Sequence, residues 1–240
     1  MKLGELTYEE VAALKDAVAI VPVGSVEPHG PHLPLHTDTL LSETCAARAV
    51  VELTKKNVRA VIAPSVPYGV TEYAGGFAGA IGVPAPALTA MLRGIAEKLL
   101  ASGFVHVCFV NNHLEPAHDA AVRAAIDGLP DGAASVACPL TRRWGRTLSD
   151  EFKRGDCHAG RYETSLVMAA GGRVGDTALP TLTTSLAEAI KSGKKTFAEI
   201  GLSRAYTGAP SEATREEGES LYDRLTAMVV TEIEEALARR

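Results

Sequence analysis

The chain is 240 residues long, with a net charge of −5, 46% hydrophobic residues and only 5% aromatic ones. That apolar content buries a sizeable core, which excludes a disordered chain, and its Ala, Val and Leu suit helices packed on a sheet better than an aromatic-cored β-sandwich. The charge balance leaves no basic footprint for nucleic acid, and the longest apolar runs, 17–23 and 104–110, are far too short to span a bilayer.

Met1-Lys2-Leu3-Gly4-Glu5 opens into polar, helix-like sequence and not into a signal peptide. Thr7 with Glu10 three residues on is a capping-box pattern and predicts a short helix over 7–15. The apolar run 17–23, closed by Gly24-Ser25, predicts a buried strand. Leu40, Leu41, Cys45, Ala49, Val50 and Leu53 recur at helical spacing ahead of Lys55-Lys56, which predicts a helix over 39–56. A second strand is expected over 58–66, and then a Gly- and Pro-rich stretch, 69–86, that cannot stay regular for long. A helix over 88–101, a strand over 104–110, a helix over 117–128 and a strand over 134–139 follow. Helices are also expected from 163–170 and over 213–239, the second opening on Thr214 and Glu217. Between them, 171–212 is polar and Gly-spotted, with a weak helical stretch near 185–200. No repeat or linker divides the chain, so 1–240 reads as one domain. Alternating strands and helices predict a three-layer α/β/α sandwich around a mostly parallel sheet. The cysteines at 45, 108, 138 and 157 form neither a CxxC pair nor a disulfide framework, so the chain reads as a reduced, cytoplasmic protein.

Five of the seven histidines fall in three short stretches dense in carboxylates or further histidines. The first runs from Gly24-Ser25-Val26-Glu27-Pro28-His29-Gly30-Pro31-His32 to His36-Thr37-Asp38. The second is Asn111-Asn112-His113-Leu114-Glu115, and the third is Asp156-Cys157-His158-Ala159-Gly160-Arg161-Tyr162-Glu163. The first two begin where a predicted strand ends, and loops at the C-terminal edge of a parallel sheet converge on one ligand-binding rim. Glu27 and His29 share one side of an extended segment, as do His113 and Glu115, because side chains there alternate with period two. Imidazoles and carboxylates on convergent loops suit Zn²⁺ or Mn²⁺ better than thiolate-loving metals. An Asp placed between two such ions can bridge them, and a bridged pair generates hydroxide near neutral pH.

The run Gly24-Ser25-Val26-Glu27-Pro28-His29-Gly30-Pro31-His32-Leu33-Pro34-Leu35 with Thr37-Asp38 closely resembles the signature of creatininase-family amidohydrolases. The resemblance continues through Asn111-Asn112-His113, His158-Ala159-Gly160-Arg161-Tyr162-Glu163-Thr164-Ser165 and the tail Gly208-Ala209-Pro210 with Ala213-Thr214. It implies a creatininase-like α/β fold with two divalent metal ions, zinc or manganese, in a homo-oligomer that is often a hexamer. It implies one metal on Glu27, Asp38 and His113 and a second on His29, Asp38 and Glu115, with Asp38 as the bridge. By the same resemblance His158 is the proton-transfer histidine and Glu163 the acidic residue close to the metals. The family cuts C–N bonds, as in creatinine ring opening, formamide hydrolysis and a peptidase-like step of mycofactocin maturation. The expected partner is therefore a small amide substrate, cleaved by attack of a dimetal-bridging hydroxide. Pro28 and Asn112 depart from the commoner Gln and Gly. Leu114 and Cys157 stand where creatinine-hydrolysing members would place aromatics, and Trp144 is the only Trp. Those departures point to a small polar amide other than creatinine; Arg142, Arg143 or Arg146 could anchor an anionic group of it, but they read first as a solvated face.

Other chemistries are weaker. Cys157 beside His158 invites a thiol nucleophile, but neighbours on an extended chain face opposite ways. Ser25 lacks the G-x-S-x-G elbow, and the glycines at 69, 75, 76 and 79 lack a phosphate-loop order, reading instead as a wall of the active-site mouth. His106 and His118 fall inside a predicted strand and helix and read as structural. The alternatives kept open are a peptidase-like maturation enzyme of the same family and a metal-stabilised binding subunit without catalysis.

Overall fold

All six residues of Val18–Val23 and all six of His106–Asn111 are buried, as strands covered on both faces must be. The computed structural model describes residues 1–240. In chain order the elements are α1 (Tyr8–Ala12), β1 (Val18–Val23), α2 (Thr37–Lys55), β2 (Ala60–Ile62), α3 (Ala85–Ala101), β3 (His106–Asn111) and α4 (Pro116–Ala124). They continue through β4 (Ala134–Ala137), α5 (Arg142–Gly145), α6 (Asp150–Arg154), α7 (Arg161–Ala169), α8 (Leu186–Lys191), α9 (Phe197–Ile200) and α10 (Arg215–Leu237). The four strands form one parallel sheet in the order β2-β1-β3-β4.

The period-two alternation of strand side chains splits the core in two. Val18 and Ile20 of β1, with Cys108 and Val110 of β3, pack with Leu41 and Cys45 of α2, Leu166 of α7 and Leu225 and Val229 of α10. Ala19, Val21, Val107 and Phe109 point the other way, onto Leu88 and Leu92 of α3 and Val122 of α4. Helices thus cover both faces, and the expected three-layer sandwich stands. No helix is long and apolar enough to cross a membrane.

The strand expected over 58–66 contracts to three residues. Past Ile62 the chain leaves the ladder at Pro64-Ser65 and touches β1 again only at a single bridge, Val66 to Val23. Pro22, in the middle of β1, has no N–H, while its carbonyl accepts from Val66 N at 2.9 Å, so a full ladder on that side was never available. The helix expected over 117–128 stops at Ala124, and α5 and α6 occupy a stretch where periodicity signalled nothing. The Thr7/Glu10 capping box forms in full. At α10 only half of one forms: Thr214 Oγ1 accepts Glu217 N at 3.1 Å, but the Glu217 carboxylate is spent on Arg161 Nε at 2.5 Å.

The order β2-β1-β3-β4 places a topological switch between β1 and β3. The chain leaves β1 through α2 on one face and leaves β3 through α4 on the other. The crevice this opens at the C-terminal strand ends is where open α/β sheets bind ligands.

One glycine fixes how closely the layer carrying the site can pack. A Cβ at Gly218 of α10 would lie 2.0 Å from the carbonyl oxygen of Ser165 and 2.7 Å from Ala169 Cβ, both in α7. Gly94 of α3, by contrast, has nothing within 4 Å of such a Cβ. Gly218→Ala should destabilise the fold by about 1–3 kcal/mol, since the obstacle is backbone and the helices must part. Gly94→Ala should stabilise by about 0.5–1 kcal/mol through helix propensity alone. Denaturant melts of the two variants check both signs.

Candidate metal centre

The three histidine-rich stretches meet at the crevice. Glu27 and His29 lie on the loop after β1, Asp38 in the first turn of α2, His113 after β3, His158 just before α7 and Glu163 in the first turn of α7. All are buried, none more than 8% exposed. Asp38 is the hub: its Oδ1 lies 3.1 Å from His29 Nε2 and its Oδ2 3.0 Å from His113 Nδ1. Glu27 Oε1 stands 3.4 Å from His113 Nδ1, and 3.9 Å from both His29 Nε2 and His158 Nδ1. Glu163 Oε2 is 3.5 Å from His29 Nε2.

The second nitrogen of each ring fixes which one faces the carboxylates. His29 Nδ1 donates to Glu27 O at 3.1 Å, His113 Nε2 to Val70 O at 2.6 Å, and His158 Nε2 to Pro28 O at 3.1 Å. With one N–H committed to backbone, the other nitrogen faces the carboxylates and would present a lone pair to a cation that displaces its proton, the usual way an outer partner sets a ligand's tautomer. Glu27 is held in turn by the Thr71 hydroxyl, and Glu163 accepts Ala159 N at 2.7 Å. Ala159 has a positive φ of 49°, a conformation an L residue adopts at some cost.

The electrostatics call for positive charge at the centre. Burial alone would lift Asp38 and Glu27. Instead, His29 and His113 hold Asp38 well below the carboxylate range, and His113 holds Glu27 near about 2. Burial works against the charged imidazole of His29, yet Asp38 and Glu163 raise it to about 10, and Glu27 and Asp38 likewise raise His113. His158 goes the other way, down to about 4, because it is buried and faces His29. Burial pushes the Glu163 carboxyl up to about 7.

Three donor groups have ligand atoms within 4.8 Å of one another: Glu27/Asp38/His113, His29/Asp38/Glu163 and Glu27/His29/His158. Two of them share Asp38. His29 Nε2 and Asp38 Oδ2 are buried without an aligned hydrogen bond despite their short contacts, which suits donors aimed at a common point. Nitrogen and carboxylate donors without a thiolate fit a borderline divalent cation.

Glu115, expected beside His29 and Asp38, joins none of these groups. Its carboxylate accepts Glu72 N at 3.1 Å and Tyr73 N at 3.3 Å on the wall of the cleft, and burial lifts it to about 7. Glu163 stands with His29 and Asp38 instead.

The Gly-rich 69–86 stretch does form a wall, and through its backbone: Val70 O, Glu72 N and Tyr73 N all reach site residues. A Cβ at Gly69 would sit 2.5 Å from His118 Nδ1, so only glycine lets this strand of backbone lie against the histidines. His118 Nδ1 accepts Val70 N at 3.2 Å, and its ring abuts His113 edge-on at 4.6 Å. His106 bonds Gly132 O and Ser135 Oγ, both at 2.9 Å, and is structural as expected. Cys157 lines the cleft, but burial and the Glu163 and Glu151 carboxylates push its thiol well above the ordinary range, which works against a thiolate. Arg143 forks onto Glu235 at 2.8 and 2.6 Å, away from the cleft, and neither Arg142 nor Arg146 lines it.

One residue escaped the sequence reading. Buried Glu151 accepts Arg161 N at 3.0 Å, Tyr162 N at 2.6 Å and Ala209 N at 2.7 Å, and so pins the start of α7 beside the 205–209 backbone. No local pattern marks it, because its partners are backbone groups brought up by the fold.

The sequence profile of the creatininase (creatinine amidohydrolase) family matches residues 4–233. A mycofactocin precursor peptide peptidase of Mycolicibacterium smegmatis is 31% identical over 231 residues, spanning 92% of this chain and 85% of that protein. A Trp-to-Phe variant of creatininase superposes with a TM-score of 0.76 at 22% identity, with 98% of each chain covered. A manganese creatininase gives 0.72 at 21% identity over 98% of both chains. A Glu-to-Gln variant in a Zn–Zn form gives 0.70 at 19%, over 98% of this chain and 97% of that one. The fold, the order of the histidine-rich stretches and the match over nearly the whole length agree: the chain belongs to the creatininase family of hydrolases.

Proposed function

We propose that this protein is a dinuclear metal-dependent amidohydrolase that cleaves a C–N bond. The observation that carries the reading is the pair of donor groups sharing Asp38, with the His158 ring alongside at the cleft floor. Glu27, Asp38 and His113 would hold one divalent ion, and His29, Asp38 and Glu163 the other, zinc or manganese by the character of the donors. Bound there, such ions lower the pKa of water and polarise a carbonyl oxygen.

The chain's own residues supply the rest. Amide hydrolysis adds the elements of water across the C–N bond: oxygen bonds to the carbonyl carbon, the C–N bond breaks, and the nitrogen leaves with an added proton. An amine leaves poorly unless protonated, and His158 is the histidine beside the cleft that joins neither of the two groups sharing Asp38. Its Nε2 stays bonded to Pro28 O, so Nδ1 is the atom that would take the proton given up by the attacking water and pass it to the leaving nitrogen. Arg161 and Glu151 keep α7 in place, and through it Glu163.

The likeness to mycofactocin precursor peptide peptidases over most of the chain favours a peptide-like amide over a creatinine ring. The test is release of amine and carboxylate across lactams, formamides and small peptides by the metal-loaded protein. Rapid turnover of creatinine, at tens per second, would overturn the preference.

Asp38→Ala should abolish binding of both ions, since each set loses its shared carboxylate and the charge offsetting cation repulsion; two ions per chain by elemental analysis would refute the bridge. Glu163→Gln should lower the metal content relative to the parent, whereas Glu115→Gln should leave it unchanged. His158→Ala should keep the metals and lose roughly two to four decades of rate, the usual worth of positioned acid–base catalysis.

A further inference from the structure

The cleft, about 470 Å³ of space including its open mouth, has two unlike halves. Its floor is the polar cluster of Glu27, Asp38, His113, His158 and Glu163. Leu114, Leu186, Ile190 and Phe197 line the cleft as well, beside the Glu115 carboxylate. No polar side chain of α8 or α9 reaches the cleft, and the one hydroxyl on that side, Tyr73, is spent on Lys194 O at 2.9 Å. A polar substituent against Leu186, Ile190 and Phe197 would be desolvated with no side-chain partner on α8 or α9, whereas an apolar one would leave water at no such cost; the nearby Glu115 carboxylate already accepts Glu72 N and Tyr73 N.

The wall is preformed. Leu186 N donates to Gly155 O at 2.7 Å and Phe197 N to Tyr73 O at 2.8 Å. Phe197, only 3% exposed, packs with Ala74, Leu202 and Ala205 in a small core of its own. Its ring lies 4.7 Å from the His158 ring, tilted by 41°. That contact gives the wall a direction: the side of the scissile bond nearest Phe197 is the side nearest the histidine that serves the leaving nitrogen.

We propose that Leu114, Leu186, Ile190 and Phe197 form an apolar subsite for the amine portion of the substrate. The enzyme then prefers amides, peptides included, whose leaving amine carries an apolar side chain. This rests on the amidohydrolase reading and on His158 serving the leaving nitrogen.

The test uses the full-length, Mn²⁺- or Zn²⁺-loaded protein and N-acetylated dipeptide amides varied on one side of the scissile bond at a time. Leu or Phe on the amine side should raise kcat/KM at least tenfold over Ser or Asn, the usual scale for apolar discrimination. The same exchange on the acyl side should have little effect. Ile190→Asn and Leu186→Asn, at half-buried positions, should shrink the amine-side preference about tenfold through KM, with metal content confirming an intact site. Equal turnover of apolar and polar amines, or a preference on the acyl side, overturns the subsite.

Binding separates this from the hydrolase reading. Leucinamide should bind the loaded protein more tightly than serinamide by calorimetry, and Ile190→Asn should erase the difference. If no amide is cut but leucinamide binds in this way, the amidohydrolase reading fails while the apolar pocket stands as a binding site, without its assignment to a leaving amine. If neither amide binds selectively, the subsite is refuted whatever the turnover.

Discussion

Three carboxylates, those of Glu27, Asp38 and Glu163, are buried within a few ångströms of one another at the floor of the cleft. In a low-dielectric interior such a set is untenable unless positive charge sits among it. The fold answers that demand twice over. It threads His29 and His113 between the acids, and it arranges the donors so that a divalent cation would meet the same need at the same points. Asp38 is where the demand is sharpest, because each of its oxygens faces a different imidazole. Its place in the first turn of α2 adds the positive end of a helix dipole to the same side of the ledger.

The surrounding layers serve to hold that arrangement still. The rings are aimed by main-chain carbonyls of Glu27, Pro28 and Val70. Where approach must be close, glycine stands: Gly69 against His118, and Gly218 against α7. Glu163 depends on where α7 begins, and α7 begins where Glu151 gathers three amide groups. The geometry at the centre is thus set by contacts that are neither acidic nor catalytic.

Much of this was legible in the chain. The two central strands, α2, α3 and α10 announced themselves through uninterrupted apolar runs or helical spacing, because those signals are local. The stretches around Glu27, His113 and His158 were recognisable by composition, and strand ends told where they would converge. What the sequence left open was whatever depended on a partner far away. Glu115 follows His113 with the spacing of a co-ligand, yet two backbone amides of 72 and 73 claim it, and no sequence pattern foretells that. Glu163, read from the resemblance as the acid close to the metals, stands 3.5 Å from His29 Nε2. β2 fell short because Pro22 on its neighbour could not offer an N–H, a defect visible only once the two strands are paired. The arginines near Trp144 read first as a solvated face, and α10 supplies the acid that holds Arg143.

The small core of Ala74, Phe197, Leu202 and Ala205 stands apart from the two that sandwich the sheet. Its separation has a bearing on descent. Substitutions in α8 and α9 draw on a reserve of packing that the sheet does not share, so a lineage can reshape that side of the cleft while the strands, and the acids and imidazoles at their ends, carry on unaltered. Divergence in what such proteins cut need not wait for compensating changes in the scaffold.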